Sequence, residues 1–272
     1  GRCRHEASAH RCDEMAQLAT VLEKARNFIM KAYIIKIELL DSYPLIWRRV
    51  VMPADATFRR LHDVIQTVTN FLSGGSYGGY HLYEFDLSAE NITVTNDEES
   101  FEEYQYYKQN KKQYEERLRL APIGSFQRSS LERLMKTVVR QPSRIKIDKY
   151  LEKYKEIRYS YDFGDGWEFL ITLEQIVDDY HFGYPTLLDG AESAPPEDVG
   201  GLGGFEEFLK IYRDPSHPEY AEMKEWADSQ EFREYDPDWI NNSLKYLDYK
   251  KTEWDQINHD NYFIIEDKYR KN

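Results

Sequence analysis

The chain has 272 residues, with 49 Asp and Glu against 36 Lys and Arg, a net charge of −13, and 41% hydrophobic and 15% aromatic residues. That length supplies one large domain or two modest ones with a sizeable core, and the acidic balance excludes nonspecific nucleic-acid binding by the surface as a whole. No apolar run approaches the roughly 18 residues of a membrane span, no apolar signal core follows the start, and Cys3 and Cys12 alone build no disulfide framework; a cytoplasmic protein is expected.

Residues 1–29 read as a tail followed by a helix, because EMAQLATVLEKARNFI spaces Leu18, Val21, Leu22, Ala25, Phe28 and Ile29 at helical intervals. They form an extension, native or added. Cys3, His5, His10 and Cys12 carry zinc-type donors, but their C-x-H-x4-H-x-C spacing is not a common zinc pattern. The regular domain is expected over residues 30–247, with a C-terminal extension at 248–272.

In KAYIIKIELL, Tyr33, Ile35, Ile37 and Leu39 alternate with Ile34, Lys36 and Glu38, which predicts a strand. DSYP turns the chain, and IWRRVVM follows as a second strand. TFRRLHDVIQTVTNFL is a helix with Thr57 as its cap and Phe58, Leu61, Val64, Ile65, Val68, Phe71 and Leu72 as its apolar stripe. GGSYGG ends it, and YHLYEFDL is a third strand, giving a β-β-α-β opening.

From about 96 to 156 the sequence becomes long and charged and reads as a helical insertion. Two helices are expected near 101–118 and 129–140, with RIKI as a short strand and DKYLEKY as a turn or two of helix. Within it, residues 128–155 hold nine Lys and Arg against three acids, whereas residues 189–272 hold ten against twenty-one. Arg128, Arg133, Lys136, Arg140, Arg144 and Lys146 are candidates for phosphate or partner contact, with Phe126, Tyr150 and Tyr154 available for stacking. The plainer expectation is a solvated helix face that pairs with the acidic C-terminal part.

YSYDFGDGWEF, residues 159–169, combines two aspartates, two glycines and five aromatics. Tyr159, Tyr161 and Phe163 alternate, and WEFLITLE resumes a strand after Gly164-Asp165-Gly166, so the stretch predicts a hairpin whose tip needs positive φ at glycine. Asp162 just before the tip suits an Asx-type bond to the tip backbone. From residue 180, YHFGYPTLLDGAESAPPEDVGGLGG is an irregular Pro- and Gly-rich loop, and helices follow at GFEEFLKIYRD, PEYAEMKEWADS and DPDWINNSLKYL. The fold class is α+β with a mainly antiparallel sheet, a helical charged insertion and C-terminal helices.

PLIWRRVVMPADATFRRLHDVIQ, HLYEFDL, YSYDFGDGWEF and APPEDVGGLGGFEEFL, in this order, resemble the plasmid pRiA4b ORF-3-like family, also described as TnpR-type passenger proteins of an insertion element. The resemblance covers residues 31–90 and 157–247. It implies a compact α+β domain linked with plasmids and mobile elements, and it carries no enzymatic activity with it. Members of that family often have histidine after the WE of the hairpin and cysteine after PPED, where this chain has Phe169 and Val199, so two donors suited to a transition metal are replaced here.

His62 and His81 match motif positions of the resemblance and, with Glu84, Asp162 or Asp165, are the weak candidates for a divalent metal; no other cofactor is predicted. Their alternative role is hydrogen bonding between elements. Asp189, Glu192, Glu197 and Asp198 lie on the Pro- and Gly-rich loop, where a carboxylate pair can do acid–base work or, more plainly, where such acids, Glu197 and Asp198 above all, cap the next helix or bind backbone amides of the turns. No GxSxG, P-loop or HExxH pattern is present. The reading that follows is a non-catalytic interaction protein with a protein partner. Its alternatives are a metal-dependent hydrolase or nuclease using His62, His81 and nearby carboxylates, and nucleic-acid binding through the basic insertion.

Overall fold

A computed structural model describes residues 30–71, 81–180 and 184–245. The expected N-terminal helix, the Cys3/His5/His10/Cys12 group and the C-terminal extension lie outside the described residues. Among the described residues, eight strands form one sheet in the order β5-β4-β3-β6-β7-β1-β2-β8, in which every pairing is antiparallel except β4 with β5.

The described residues open with β1 (Met30–Leu39), β2 (Ile46–Pro53), helix α1 (Phe58–Val68) and β3 (Tyr83–Leu87). The two-residue period of β1 sends Tyr33, Ile35, Ile37 and Leu39 into the main core. Its other face is also covered, since Ala32 and Ile34 pack with Val51, Val177, Tyr180, Tyr184 and Leu188. Helix α1 lies on the main-core face because Phe58, Leu61, Val64, Ile65 and Val68 make one stripe, all fully buried. Removing each from water contributes about 1.5–3 kcal/mol before the entropy of ordering is counted. The Thr57 hydroxyl accepts the Arg60 N–H at 3.3 Å and caps the helix.

The charged segment holds three helices rather than two: α2 (Glu98–Gln109), α3 (Lys111–Leu120) and α4 (Phe126–Lys136). Two short strands were not foreseen, β4 (Ile92–Thr95) and β5 (Val138–Arg140). Tyr104, Tyr107, Tyr114, Leu131 and Val139 form a separate small core between these helices and the sheet edge. RIKI is not a named strand; it contributes an isolated bridge, Thr57 to Lys146, and Ile145 and Ile147 join the main core with Leu151 of α5 (Asp148–Tyr154). The expected insertion therefore divides physically, its first part packing on itself and its last part belonging to the central core.

The hairpin is β6 (Glu156–Tyr161) and β7 (Trp167–Tyr180), with Tyr161 opposite Trp167 and Tyr159 opposite Phe169. Asp162 and Gly166 both have positive φ (49° and 72°), and the Gly166 N–H donates to the Asp162 carbonyl at 2.6 Å, closing the tip. In the loop expected to be irregular, Thr186–Ala191 forms β8, an edge strand against β2. Helices α6 (Gly201–Tyr212), α7 (Tyr220–Ser229) and α8 (Pro237–Leu244) complete the main-core layer with Phe205, Phe208, Ala227, Ile240 and Leu244.

One buried cation holds the loop after β8 in place. Arg48 lies on the inward register of β2 with Ile46 and Val50, 2% exposed. Its guanidinium donates to the carbonyls of Val68 (2.8 Å), Trp47 (2.8 Å), Ala191 (2.7 Å) and Glu192 (2.8 Å) and stacks on Tyr235, 4.3 Å from the ring centre. Burial lowers its pKa to about 10, which leaves it charged at neutral pH. Asn70 adds bonds to the carbonyls of Ala194 (2.7 Å) and Arg233 (2.9 Å). The end of α1, the loop and the approach to α8 are thus fastened to one another.

Candidate metal centre

Three segments distant in sequence meet at one end of the sheet. His81 lies just before β3, Asp162 at the tip of the β6–β7 hairpin, and Glu197 and Asp198 in the loop before α6. One potential ligand atom from each of His81, Asp162 and Glu197 falls within 4.8 Å of the others. His81 Nδ1 is 3.3 Å from Asp162 Oδ1, and its Nε2 is 3.6 Å from Glu197 Oε2 and 3.7 Å from Asp198 Oδ1. Asp162 and Glu197 are buried, His81 is half-buried, and the Asp198 side chain is 67% exposed, so the group opens to water on the Asp198 side.

Each side chain is aimed by its local structure. Asp162 sits in the left-handed region, and its Oδ1 accepts the Gly164 N–H at 3.0 Å, the Asx bond expected at the tip. Its own N–H donates to the Leu82 carbonyl at 3.0 Å, which ties the tip to the residue after His81. Glu197 accepts the Tyr161 O–H on Oε1 at 2.6 Å. Glu197 and Asp198 do not cap α6, whose N-terminus has no side-chain cap; Glu197 is instead drawn inward to the Tyr161 hydroxyl. The loop is locked to the hairpin by Asp165, whose Oδ2 accepts the Gly200 N–H at 3.0 Å. Glycine at 201 permits this contact: it has φ +70°, and a Cβ there would come within 2.9 Å of the Asp165 carbonyl oxygen.

The other candidates are elsewhere. His62 is 1% exposed, stacked on Tyr83 at 3.8 Å between ring centres and bonded through Nδ1 to the Tyr159 hydroxyl at 2.7 Å. Burial, with a smaller contribution from Arg59, pushes its pKa well below the usual 6.5, so the ring is neutral and shares one hydrogen bond between Nδ1 and the Tyr159 hydroxyl. Tyr161 lies beside both histidines, its ring centre 6.2 Å from that of His62 and 5.7 Å from that of His81, and His62 is not among the grouped ligand atoms. Asp189 is exposed on β8 and accepts its neighbour's Gly190 N–H at 2.8 Å. Phe169 packs on Phe71 and Tyr159 in the core.

Glu84 points to the opposite face from Tyr83 and lines a cavity of about 680 Å³ between β3, β4 and the insertion helices. Burial first, then Asp86 and Glu168, raises its carboxyl pKa, with Arg133 across the cavity acting the other way. Of the basic candidates, Arg128 is held by the carbonyls of Leu118 and Ala121 (3.2 Å each) and by Glu132 (2.9 Å), and Lys146 pairs with Asp55. Lys136, Arg140 and Arg144 are exposed. Among the described residues, the ion pairs of this segment's basic residues go to Asp55, Glu90 and Glu132 and not to the acidic C-terminal part. Residues that sequence reasoning passed over are Arg48, Asn70 and Tyr161. Arg48 had a signal, a charge at an inward position of an alternating strand; the partners of Asn70 and Tyr161 lie more than thirty residues away and left none.

The comparisons agree with this architecture. The chain matches the plasmid pRiA4b ORF-3-like protein family over residues 31–244. It is 29% identical over 198 residues to the uncharacterized protein y4hQ of Sinorhizobium fredii (strain NBRC 101917 / NGR234), covering 73% of this chain and 81% of that one. A crystal structure of a protein of unknown function, MM3350 from Methanosarcina mazei Go1, superimposes with a TM-score of 0.54 at 27% identity, covering 78% of this chain and 97% of that one. Sequence motifs, matched length and fold together place this chain in the plasmid pRiA4b ORF-3-like family.

Proposed function

We propose that this protein binds a divalent first-row transition metal at His81, Asp162, Glu197 and Asp198, and that this centre is its functional site. The observation that carries the reading is the convergence of an imidazole and carboxylates from three separate segments within ligand-to-ligand distance. One imidazole with carboxylates suits Mn²⁺, Fe²⁺ or Zn²⁺ better than Ca²⁺, which takes oxygen donors alone. The open Asp198 side leaves coordination positions for water, which such a metal activates towards hydrolysis. The test is elemental analysis of full-length protein purified without chelator or an affinity-tag metal, beside His81→Ala and His62→Ala. Near-stoichiometric metal in the unmodified protein and in His62→Ala, lost in His81→Ala, supports the centre. Protein without metal after incubation with Mn²⁺, Fe²⁺ and Zn²⁺ would leave His81 a neighbour of the carboxylates with no metal role.

A second reading rests on a different observation. Leu120, Ile123 and Phe126, at the turn between α3 and α4, are 67%, 93% and 85% exposed. Large apolar side chains exposed at the turn between two charged helices support a partner-binding role for this segment.

A further inference from the structure

We infer that His81 binds the metal through Nε2, together with Glu197 Oε2 and Asp198 Oδ1, and that Asp162 is the residue that orients His81 from its other ring nitrogen. This rests on the metal-binding reading above and assigns roles within it. The grouping of His81, Asp162 and Glu197 by proximity alone leaves those roles undivided.

An imidazole gives a metal one nitrogen, and the other must present its N–H to an acceptor. At metal–ligand distances of about 2.0–2.2 Å, neighbouring donor atoms lie roughly 3.0–3.5 Å apart at tetrahedral or octahedral angles. Glu197 Oε2 and Asp198 Oδ1 both lie nearest Nε2, at 3.6 and 3.7 Å, each within a few tenths of an ångström of that donor separation. Asp162 Oδ1 lies nearest the other ring nitrogen, Nδ1, at 3.3 Å.

The supports of each group fit this division. Asp162 is fixed by the Gly164 N–H and by the closed hairpin tip, a rigid post against which the ring is set. The Tyr161 hydroxyl occupies Glu197 Oε1, which directs Oε2 to the ion and favours single-oxygen ligation. Asp198 has an exposed side chain at φ +53° in the loop locked to the tip through Asp165 and Gly200, so it can swing to the ion without disturbing the core.

The experiment is titration of chelator-stripped, full-length protein with Co²⁺, followed by its visible absorption and by competition with Zn²⁺, for the unmodified chain and for Asp162→Asn, Glu197→Gln and Asp198→Asn. Asparagine tolerates the left-handed backbone at 162 and glutamine still accepts from Tyr161, so all three are expected to fold; circular dichroism checks this. Glu197→Gln and Asp198→Asn should each lower Co²⁺ affinity more than 100-fold and change the spectrum. Asp162→Asn should keep the ligand-field bands of the unmodified protein with affinity lowered about 10–100-fold, the loss typical of a residue that supports a ligand. An Asp162→Asn spectrum with altered coordination, or Asp198→Asn binding like the unmodified chain, overturns the assignment while leaving the metal centre standing. Failure of the unmodified protein to bind Co²⁺ or Zn²⁺ overturns both.

Discussion

At the scale of single residues, two buried polar side chains decide more than their position in the sequence suggests. Arg48 satisfies four backbone carbonyls from three parts of the chain, and each buried acceptor left without a donor costs about 1–3 kcal/mol. Arg48→Met is expected to destabilise the fold by about 3–5 kcal/mol in urea denaturation, and a loss below about 1 kcal/mol would mean that water replaces the guanidinium. His62 is kept neutral by burial. Its unfolded form protonates below about pH 6.5 while the folded form does not, so its contribution to stability is intact above that pH and falls as pH drops, by up to about 1.4 kcal/mol per unit. Asp63, raised to about 6 by burial, works in the opposite sense over the same range, since the folded state gains from its protonation as pH falls. The measurement is therefore the difference in slope between the unmodified protein and His62→Phe from pH 7 to 5. Parallel slopes would show that His62 takes up a proton in the folded state.

At the scale of elements, the contact between hairpin tip and loop depends on glycine for two separable reasons. Gly166 has φ +72° and open space around its missing Cβ, whereas Gly201 has φ +70° and the Asp165 carbonyl 2.9 Å from where a Cβ would stand. Alanine at 166 is expected to cost about 1–2 kcal/mol from backbone strain alone. Alanine at 201 should cost more and also weaken metal binding, because the clash separates the Glu197 and Asp198 loop from the tip. Equal costs in thermal unfolding, with equal metal affinity, would show that the loop position does not depend on this approach.

At the scale of the whole molecule, the central core and the insertion's own small core make separate demands. Ile123 and Phe126 touch neither strongly enough to be buried, so Ile123→Asp with Phe126→Ser should change stability by less than about 0.5 kcal/mol. The same pair should abolish any association seen by light scattering or with a captured partner. A substantial drop in melting temperature would return these side chains to a packing role. Among the described residues, no helix is long and apolar enough to cross a membrane.

Much of the fold was legible in local pattern. Alternation in β1 and β6, the apolar stripe and Thr57 cap of α1, the Asx bond and positive-φ glycine of the hairpin, and the three C-terminal helices all arise from interactions within a few residues, which period and turn chemistry report directly. Strands β4, β5 and β8 were not legible, being three to six residues long and held by partners elsewhere in the sheet rather than by their own propensity. The same division runs through the site. Composition and motif singled out His62, His81, Asp162, Glu197 and Asp198 alike, because a residue type states what chemistry is possible and not where the side chain stands. Only the tertiary structure set His62 into the core on Tyr83 and Tyr159 and brought His81 to carboxylates 81 and 116 residues further along the chain, since strand order and the Arg48 anchor, both long-range, determine which ends of the sheet meet.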